Sequence, residues 1–66
     1  MTIVYNGSDR DVRDGATVAE VVAETTTMRG GLAVAVNGEV VRRADWDSTV
    51  VREADRLEVL TAVQGG

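Results

Sequence analysis

The amino-acid sequence predicts an α+β fold in which a mixed sheet of four to five strands packs against a single helix. Two Asn-Gly pairs each follow a short run of β-branched and other apolar residues, and this pattern predicts two β-hairpins. Between the hairpins, valines recur at helical spacing, which predicts one amphipathic helix. A final run alternates polar and apolar residues, and it therefore predicts a strand with one buried face.

The first hairpin is predicted from Ile3-Val4-Tyr5, a β-branched and aromatic run that ends at Asn6-Gly7. Both turn residues tolerate the positive φ angles that a two-residue turn requires. The return strand, Ser8 to Arg13, is polar except for Val12, so we expect it near an edge of the sheet.

The helix is expected to run from about Val18 to Thr27 and to stop before Gly30-Gly31. Thr17 and Glu20 have the spacing of a capping box, in which the threonine side chain accepts a hydrogen bond from the glutamate backbone. The apolar stripe of this helix consists of Val18, Val21 and Val22.

The second hairpin begins with Leu32 to Val36, a continuous apolar run typical of a central strand. Asn37-Gly38 repeats the hairpin signal, and the chain returns over Glu39 to Arg42. Arg43 to Val51 is irregular. We expect Trp46 to pack this segment onto the core, although an exposed tryptophan could instead be a binding residue.

The last strand is predicted over Arg56 to Leu60, and Thr61 to Val63 can extend it. A turn at Glu53-Ala54-Asp55 precedes it. If the first and last strands lie side by side in the centre of the sheet, the fold is a β-grasp. The sequence thus predicts one β-grasp domain over residues 1–62 and a flexible C-terminal tail over residues 63–66.

The composition excludes several classes of site. The 66 residues include no cysteine and no histidine, so disulfides and thiolate or imidazole ligands are absent. Eleven acidic and seven basic residues give a net charge of −4, which disfavours nucleic-acid binding and equally serves solubility. Because no segment has the pattern of a signal peptide or a membrane span, we expect a cytoplasmic protein without a membrane partner.

Pairs of carboxylates are the remaining side-chain candidates for catalysis. Asp45 and Asp47 flank Trp46, and Asp9 and Asp11 lie two residues apart on a predicted strand. These spacings are unspecific, and solvated carboxylates on turns and strand faces are the simpler interpretation. No serine-nucleophile motif, P-loop or dinucleotide fingerprint occurs. We therefore expect no catalytic residue, no metal ligand and no bound cofactor in this chain.

The C-terminal pair Gly65-Gly66 remains as the candidate reactive end. An extended segment over residues 63–66 would reach about 13 Å beyond the domain. Because glycine has no side chain, such a tail can enter a narrow channel. The α-carboxylate of Gly66 is ionised at neutral pH and is a poor electrophile until ATP activates it as an adenylate. A sulfur nucleophile could then attack it, and a donor must supply that sulfur because the chain has no cysteine.

Several segments, in their order and spacing, follow one pattern along the whole chain. They are Asn6-Gly7, Gly15 to Glu20, Ala33 to Gly38, Val41 to Arg43, Trp46, Asp55 to Leu60, and Thr61 to Gly66. With this pattern the chain resembles the ThiS family of thiamine-biosynthesis sulfur carriers, which are ubiquitin-like β-grasp proteins. Three positions depart from it: Ala54, where glycine is common, Arg43, where proline or another residue is common, and the threonine-rich Thr25 to Arg29.

The resemblance implies a protein co-substrate rather than an enzyme. A ubiquitin-activating-like adenylyltransferase (ThiF type) would consume ATP to activate Gly66, and a sulfur relay from a cysteine desulfurase would form a thiocarboxylate. Thiazole synthase (ThiG type) would take that sulfur. Gly66 is then the covalent carrier and Gly65 the spacer. Our candidate docking residues, which could equally belong to the core, are Leu60, Ala62 and Val63.

Three alternatives remain open at this stage. The protein could carry sulfur for another product, such as molybdopterin, thiolated tRNA or cysteine. It could be a ubiquitin-like modifier that forms an isopeptide with a target lysine. It could also be a non-catalytic binding domain, for which the tail would be dispensable.

Overall fold

The computed structural model describes residues 1–26 and 31–61, which form five strands, one α-helix and one 3₁₀ turn. The strands are β1 (Thr2–Tyr5), β2 (Ser8–Asp11), β3 (Leu32–Val36), β4 (Glu39–Val41) and β5 (Arg56–Thr61); α1 spans Val18–Thr25, and the 3₁₀ turn spans Arg43–Asp45. No helix within this part of the chain is long and apolar enough to cross a membrane.

The strands form a single sheet in the order β2-β1-β5-β3-β4. β1 and β5 lie side by side in the centre and run parallel, whereas every other neighbouring pair is antiparallel. This central parallel pair confirms the predicted α+β class and the β-grasp arrangement. The first and last strands of the chain therefore hold the sheet together, and the chain leaves the sheet from its middle.

Both predicted hairpins are confirmed by the backbone angles of their turns. Asn6 and Gly7 have φ values of 48° and 85°, and Asn37 and Gly38 have values of 53° and 85°. Positive φ at both central residues is the geometry that matches the twist of the flanking strands. The return strands are shorter than expected. β2 ends at Asp11 rather than Arg13, and β4 ends at Val41 rather than Arg42.

The helix begins as the capping box predicts and ends earlier than expected. Thr17 Oγ1 accepts a hydrogen bond from the Glu20 backbone N–H at 3.2 Å. The helix ends at Thr25, and Thr26 is extended, with φ −151° and ψ 148°. The expected end at Thr27 is therefore wrong for the described residues. The Thr25 hydroxyl donates to the Val21 and Val22 carbonyls of the last turn (2.9 and 3.2 Å).

The core lies between the helix and one face of the sheet. Its largest fully buried side chains are Ile3, Val18, Val21, Val34, Val51 and Leu57. Trp46 is only 7% exposed, and its indole N–H donates to the Val41 carbonyl at 3.0 Å. The Arg43 guanidinium lies 5.1 Å from the centre of its ring. The packing role predicted for Trp46 is confirmed, and the contact with Arg43 gives a structural reason for an arginine there.

Ala54, which stands where glycine is common in the family that the sequence resembles, has a φ of 68°. A left-handed backbone costs a residue with a Cβ atom about 1–2 kcal/mol. Replacement by glycine would relieve this strain. Glycine also has more conformational freedom in the unfolded chain, and this cancels about 0.4–1 kcal/mol of the gain in stability. We expect Ala54→Gly to raise the free energy of unfolding by about 0.5–1 kcal/mol in urea denaturation.

A matched control for this substitution lies in the 3₁₀ turn at Ala44, whose φ is not positive. There the same change relieves no strain, so Ala44→Gly should lower the free energy of unfolding by about 0.5–1 kcal/mol. Equal effects of the same sign at the two positions would show that the backbone angle at Ala54 does not limit stability.

Candidate functional site

The last strand alternates between the core and solvent. Leu57 and Val59 are buried, whereas Arg56, Glu58 and Leu60 are exposed. Since successive side chains of a strand point to opposite faces, the exposed set lies on the face of the sheet that the helix does not cover. β5 therefore anchors the end of the chain in the core and also presents side chains on the open face.

Leu60 lies on that open face and is 66% exposed, so it is not a core residue. Its cross-strand neighbour on β3 is Ala33, which is also exposed. One step further along the same face, Glu58 pairs with Ala35, and Ala35 pairs with Val40, which is 73% exposed. We call Leu60, Ala33, Ala35 and Val40 the apolar face patch.

The predicted reactive end lies outside the described residues. This holds for Gly65, Gly66, Ala62 and Val63, and the boundary predicted between residues 62 and 63 falls in the same segment. Of the predicted site residues, the structure therefore places only Leu60, which is exposed as a docking role requires. The roles of Gly66, Gly65 and the docking residues stay predictions.

The structure adds a feature that we did not predict, namely that the side chains of both hairpin asparagines hold β5. The Asn37 side-chain oxygen accepts from the Arg56 backbone N–H at 2.9 Å, at the start of the strand. The Asn6 side-chain oxygen accepts from the Val59 backbone N–H at 2.8 Å, and its amide nitrogen donates to the Val59 carbonyl at 3.2 Å. The signal in the sequence was the choice of asparagine at both turns. Glycine or aspartate would also suit the first turn position, but neither offers the donor and the acceptor that Asn6 uses.

The charged side chains that the sequence raised as catalytic candidates lie on the surface. Asp9, Asp11, Asp45 and Asp47 are all exposed, and Asp11 Oδ1 accepts from the Thr2 hydroxyl at 2.9 Å. Across residues 1–26 and 31–61, no group of three or more acidic side chains is arranged to hold a metal ion. These observations agree with the interpretation of solvated carboxylates.

Among the described residues, one acidic side chain has a shifted pKa, and it is Glu20 in the first turn of the helix. The Arg13 side chain donates to Glu20, with Nε 2.7 Å from Oε2. This hydrogen bond is the main reason why the pKa of Glu20 lies below its ordinary value, and the Thr17 backbone contributes in the same direction. The pair supports the capping box and lies away from the open face.

Known proteins similar to this chain agree with the fold and extend over its whole length. A family model described as the ThiS family matches residues 3–66. The sulfur carrier protein ThiS of Escherichia coli (strain K12) is 27% identical over 66 residues, which is all of both chains. The crystal structure of the thiamine biosynthesis protein ThiS from Geobacter metallireducens matches with a TM-score of 0.85 at 30% identity, over 100% of both chains.

A solution structure of a thiamine biosynthesis protein from the same organism gives a TM-score of 0.81 at 29% identity, covering 100% of this chain and 88% of that one. The β-grasp fold predicted from the sequence is confirmed by these structures. The family match also includes the terminal glycine pair, which lies outside the described residues.

Proposed function

Because the chain belongs to the ThiS family, we propose that it is a sulfur carrier whose reactive group is the Gly66 carboxylate and whose sulfur enters the thiazole of thiamine. The observation that carries this proposal is the extent of the family match, which runs to residue 66 and thus includes Gly65 and Gly66. The curated sulfur carrier from Escherichia coli has the same extent, since all of both chains align.

The proposed chemistry takes place at one carbonyl carbon. A carboxylate oxygen of Gly66 attacks the α-phosphorus of ATP on a ThiF-type adenylyltransferase, pyrophosphate leaves, and a mixed anhydride forms. The terminal sulfur of a persulfide, on a relay fed by a cysteine desulfurase, then attacks that carbonyl, AMP leaves, and an acyl disulfide forms. A thiol cleaves its S–S bond and is itself oxidised to a disulfide, which leaves a thiocarboxylate at the end of the chain. A ThiG-type thiazole synthase receives the sulfur. The chain itself supplies no catalytic side chain to these steps.

The fold suits a carrier because it separates the reactive end from the structural core. β5 is held by β3 over five paired positions, from Val36↔Leu57 to Leu32↔Thr61, and by β1 on its other side. The chain therefore leaves from the middle of the sheet, and the apolar face patch lies beside the point of exit. A partner that binds this patch would have the last residues within its reach, since four extended residues span about 13 Å.

The proposal is tested by the mass of the intact protein. Incubation with a ThiF-type adenylyltransferase, ATP, a persulfide donor and a thiol reductant should raise the mass by the difference between sulfur and oxygen, and omission of ATP should prevent the increase. Adding thiazole synthase with its two substrates, a deoxyxylulose phosphate and a glycine-derived imine, should return the mass to its starting value. The proposal would be refuted if the mass of this protein did not increase with an adenylyltransferase that is shown, in a control reaction, to modify another carrier.

A further inference from the structure

We propose that Asn6 is a positioning residue for the C-terminal tail, and that its side-chain amide fixes β5 at Val59 so that the tail starts from a defined point and direction. This inference rests on the proposed function, since it assigns Asn6 a part in delivering the Gly66 carboxylate. Asn6 lies far in sequence from the C-terminal segment that carries the proposed chemistry. Its place in the first hairpin turn would by itself be a sufficient reason for an asparagine there.

The first support is the point at which β1 stops pairing with β5. The paired positions are Val4↔Arg56 and Tyr5↔Leu57, whereas β5 continues to Thr61. The backbone of Asn6 makes one more bond, in which its N–H donates to the Leu57 carbonyl at 2.9 Å. The chain then turns away into β2, because Asn6 and Gly7 both have positive φ.

The second support is that the Asn6 side chain continues the ladder where the backbone cannot. The Val59 N–H donates to Oδ1 at 2.8 Å, and Nδ2 donates to the Val59 carbonyl at 3.2 Å. A primary amide offers the same donor and acceptor as a peptide group. The side chain thus replaces one peptide unit of a longer β1 strand and holds β5 two residues nearer to the tail.

The third support is that the same residue type performs the same task at the other end of β5. The Asn37 N–H donates to the Arg56 carbonyl at 2.7 Å, and Asn37 Oδ1 accepts from the Arg56 N–H at 2.9 Å. Asn37 occupies a turn of the same geometry, with φ 53° against 48° for Asn6. The chain therefore contains a matched control, which holds the start of the strand instead of the part next to the tail.

The functional consequence follows from the requirements of the reaction. The Gly66 carboxylate must meet the α-phosphorus in a narrow range of positions, and small displacements of reacting groups lower a rate strongly. If Val59 is released on the β1 side, the strand end from which the tail starts becomes less defined, while the apolar face patch is unchanged. The rate of adenylation within the bound complex should therefore fall, whereas the affinity of the carrier for the adenylyltransferase should stay the same.

The test compares Asn6→Gly with Asn37→Gly. Glycine keeps the positive φ of both turns and removes the side-chain bonds to β5. At Asn37 it also removes the bond from Nδ2 to Asp55 Oδ1 (3.0 Å), which lies before the strand and away from the tail. For adenylation, measured by pyrophosphate release, Asn6→Gly should lower kcat about fivefold with KM unchanged within about twofold. Asn37→Gly should change kcat by less than about twofold. Hydrogen exchange of the Val59 amide should accelerate about tenfold in Asn6→Gly only.

The outcomes distinguish this inference from the proposed function. If the native chain gains no adenylate and no sulfur, the proposed function fails. If the native chain is modified but the two glycine variants have the same kcat, or if the loss in Asn6→Gly appears in KM alone, the positioning role is refuted. Should Asn6→Gly fail to fold, Asn6→Asp and Asn37→Asp take the place of the two glycine variants. Aspartate keeps the acceptor for the backbone N–H but cannot donate to the Val59 carbonyl, so Asn6→Asp should lower kcat at least about threefold and Asn37→Asp by less than about twofold.

Discussion

Removal of Gly66 is expected to abolish thiocarboxylate formation while the domain stays folded. The shortened chain ends in the carboxylate of Gly65, which lies about 3.4 Å nearer to the domain. Because the reacting groups must meet in a near-attack geometry, this displacement should lower the rate of adenylation by at least about 100-fold. Addition of one alanine after Gly66 should have the same effect, since it moves the carboxylate by a similar distance in the other direction.

Both variants should keep the stability of the native chain. β5 ends at Thr61, and the core residues found among the described part of the chain all lie at or before Val59. Urea denaturation should therefore give a free energy of unfolding within about 0.5 kcal/mol of the native value. Modification of both variants at the native rate would show that the reactive carboxylate is not placed by the length of the tail.

Replacement of Leu60 by aspartate is expected to weaken docking on the adenylyltransferase. Leu60 is 66% exposed and lies on the open face directly after Val59, so the substitution should cost little folding free energy. A neutral polar group buried against an apolar surface without a partner costs about 1–3 kcal/mol, and an ionised carboxylate costs at least as much. The KM of the carrier in adenylation should therefore rise about 10- to 100-fold, with a smaller change in kcat.

A control for Leu60→Asp is Val50→Asp, which places the same charge at another exposed aliphatic residue. Val50 is 50% exposed and lies outside the sheet, in a bridge to Thr17 at the start of the helix. Its substitution should leave KM within about twofold of the native value. An unchanged KM in Leu60→Asp, or an equal rise in both variants, would place the docking surface elsewhere. Leu60 is thus expected to affect mainly KM and Asn6 mainly kcat, which separates docking from positioning.

Some parts of the structure were decided by tertiary contacts that no sequence window contains. The helix ends at Thr25, and the hydroxyl of that residue donates to two carbonyls of the last turn and accepts a hydrogen bond from the Tyr5 hydroxyl at 2.8 Å. Tyr5 lies on β1, 20 residues earlier in the chain. The sequence prediction extended to about Thr27 because the next helix-breaking residues are Gly30-Gly31, and a local pattern has no information about a partner on another element.

The Asn-Gly pairs show how local and long-range information combine in one motif. Their φ preferences are local, so the sequence predicted both turns correctly. Their bonds to Arg56 and Val59 depend on β5 lying beside the turns, and this became visible only in the folded chain. Ala54 is a similar case, since the departure from glycine was visible in the sequence and its left-handed backbone was not.

The C-terminal glycine pair and the family pattern were properties of the sequence alone. Elimination of cysteine, histidine and specific side-chain motifs left the Gly66 carboxylate as the candidate reactive group, and the family match over residues 3–66 includes this residue. Turn chemistry, the capping box and the alternation of the last strand were likewise determined locally, because each depends on the conformational preferences of a few neighbouring residues.

Only the tertiary structure decided where the last strand lies and which of its side chains face outward. Parallel pairing of β1 with β5 joins residues 52 positions apart, as in Val4↔Arg56, and no local pattern specifies such a neighbour. That pairing puts Leu57 in the core and Leu60 on the open face, and it brings Asn6 to Val59. The physical reason is that a leucine in an alternating strand can face either side until the packing of the whole sheet selects the buried one.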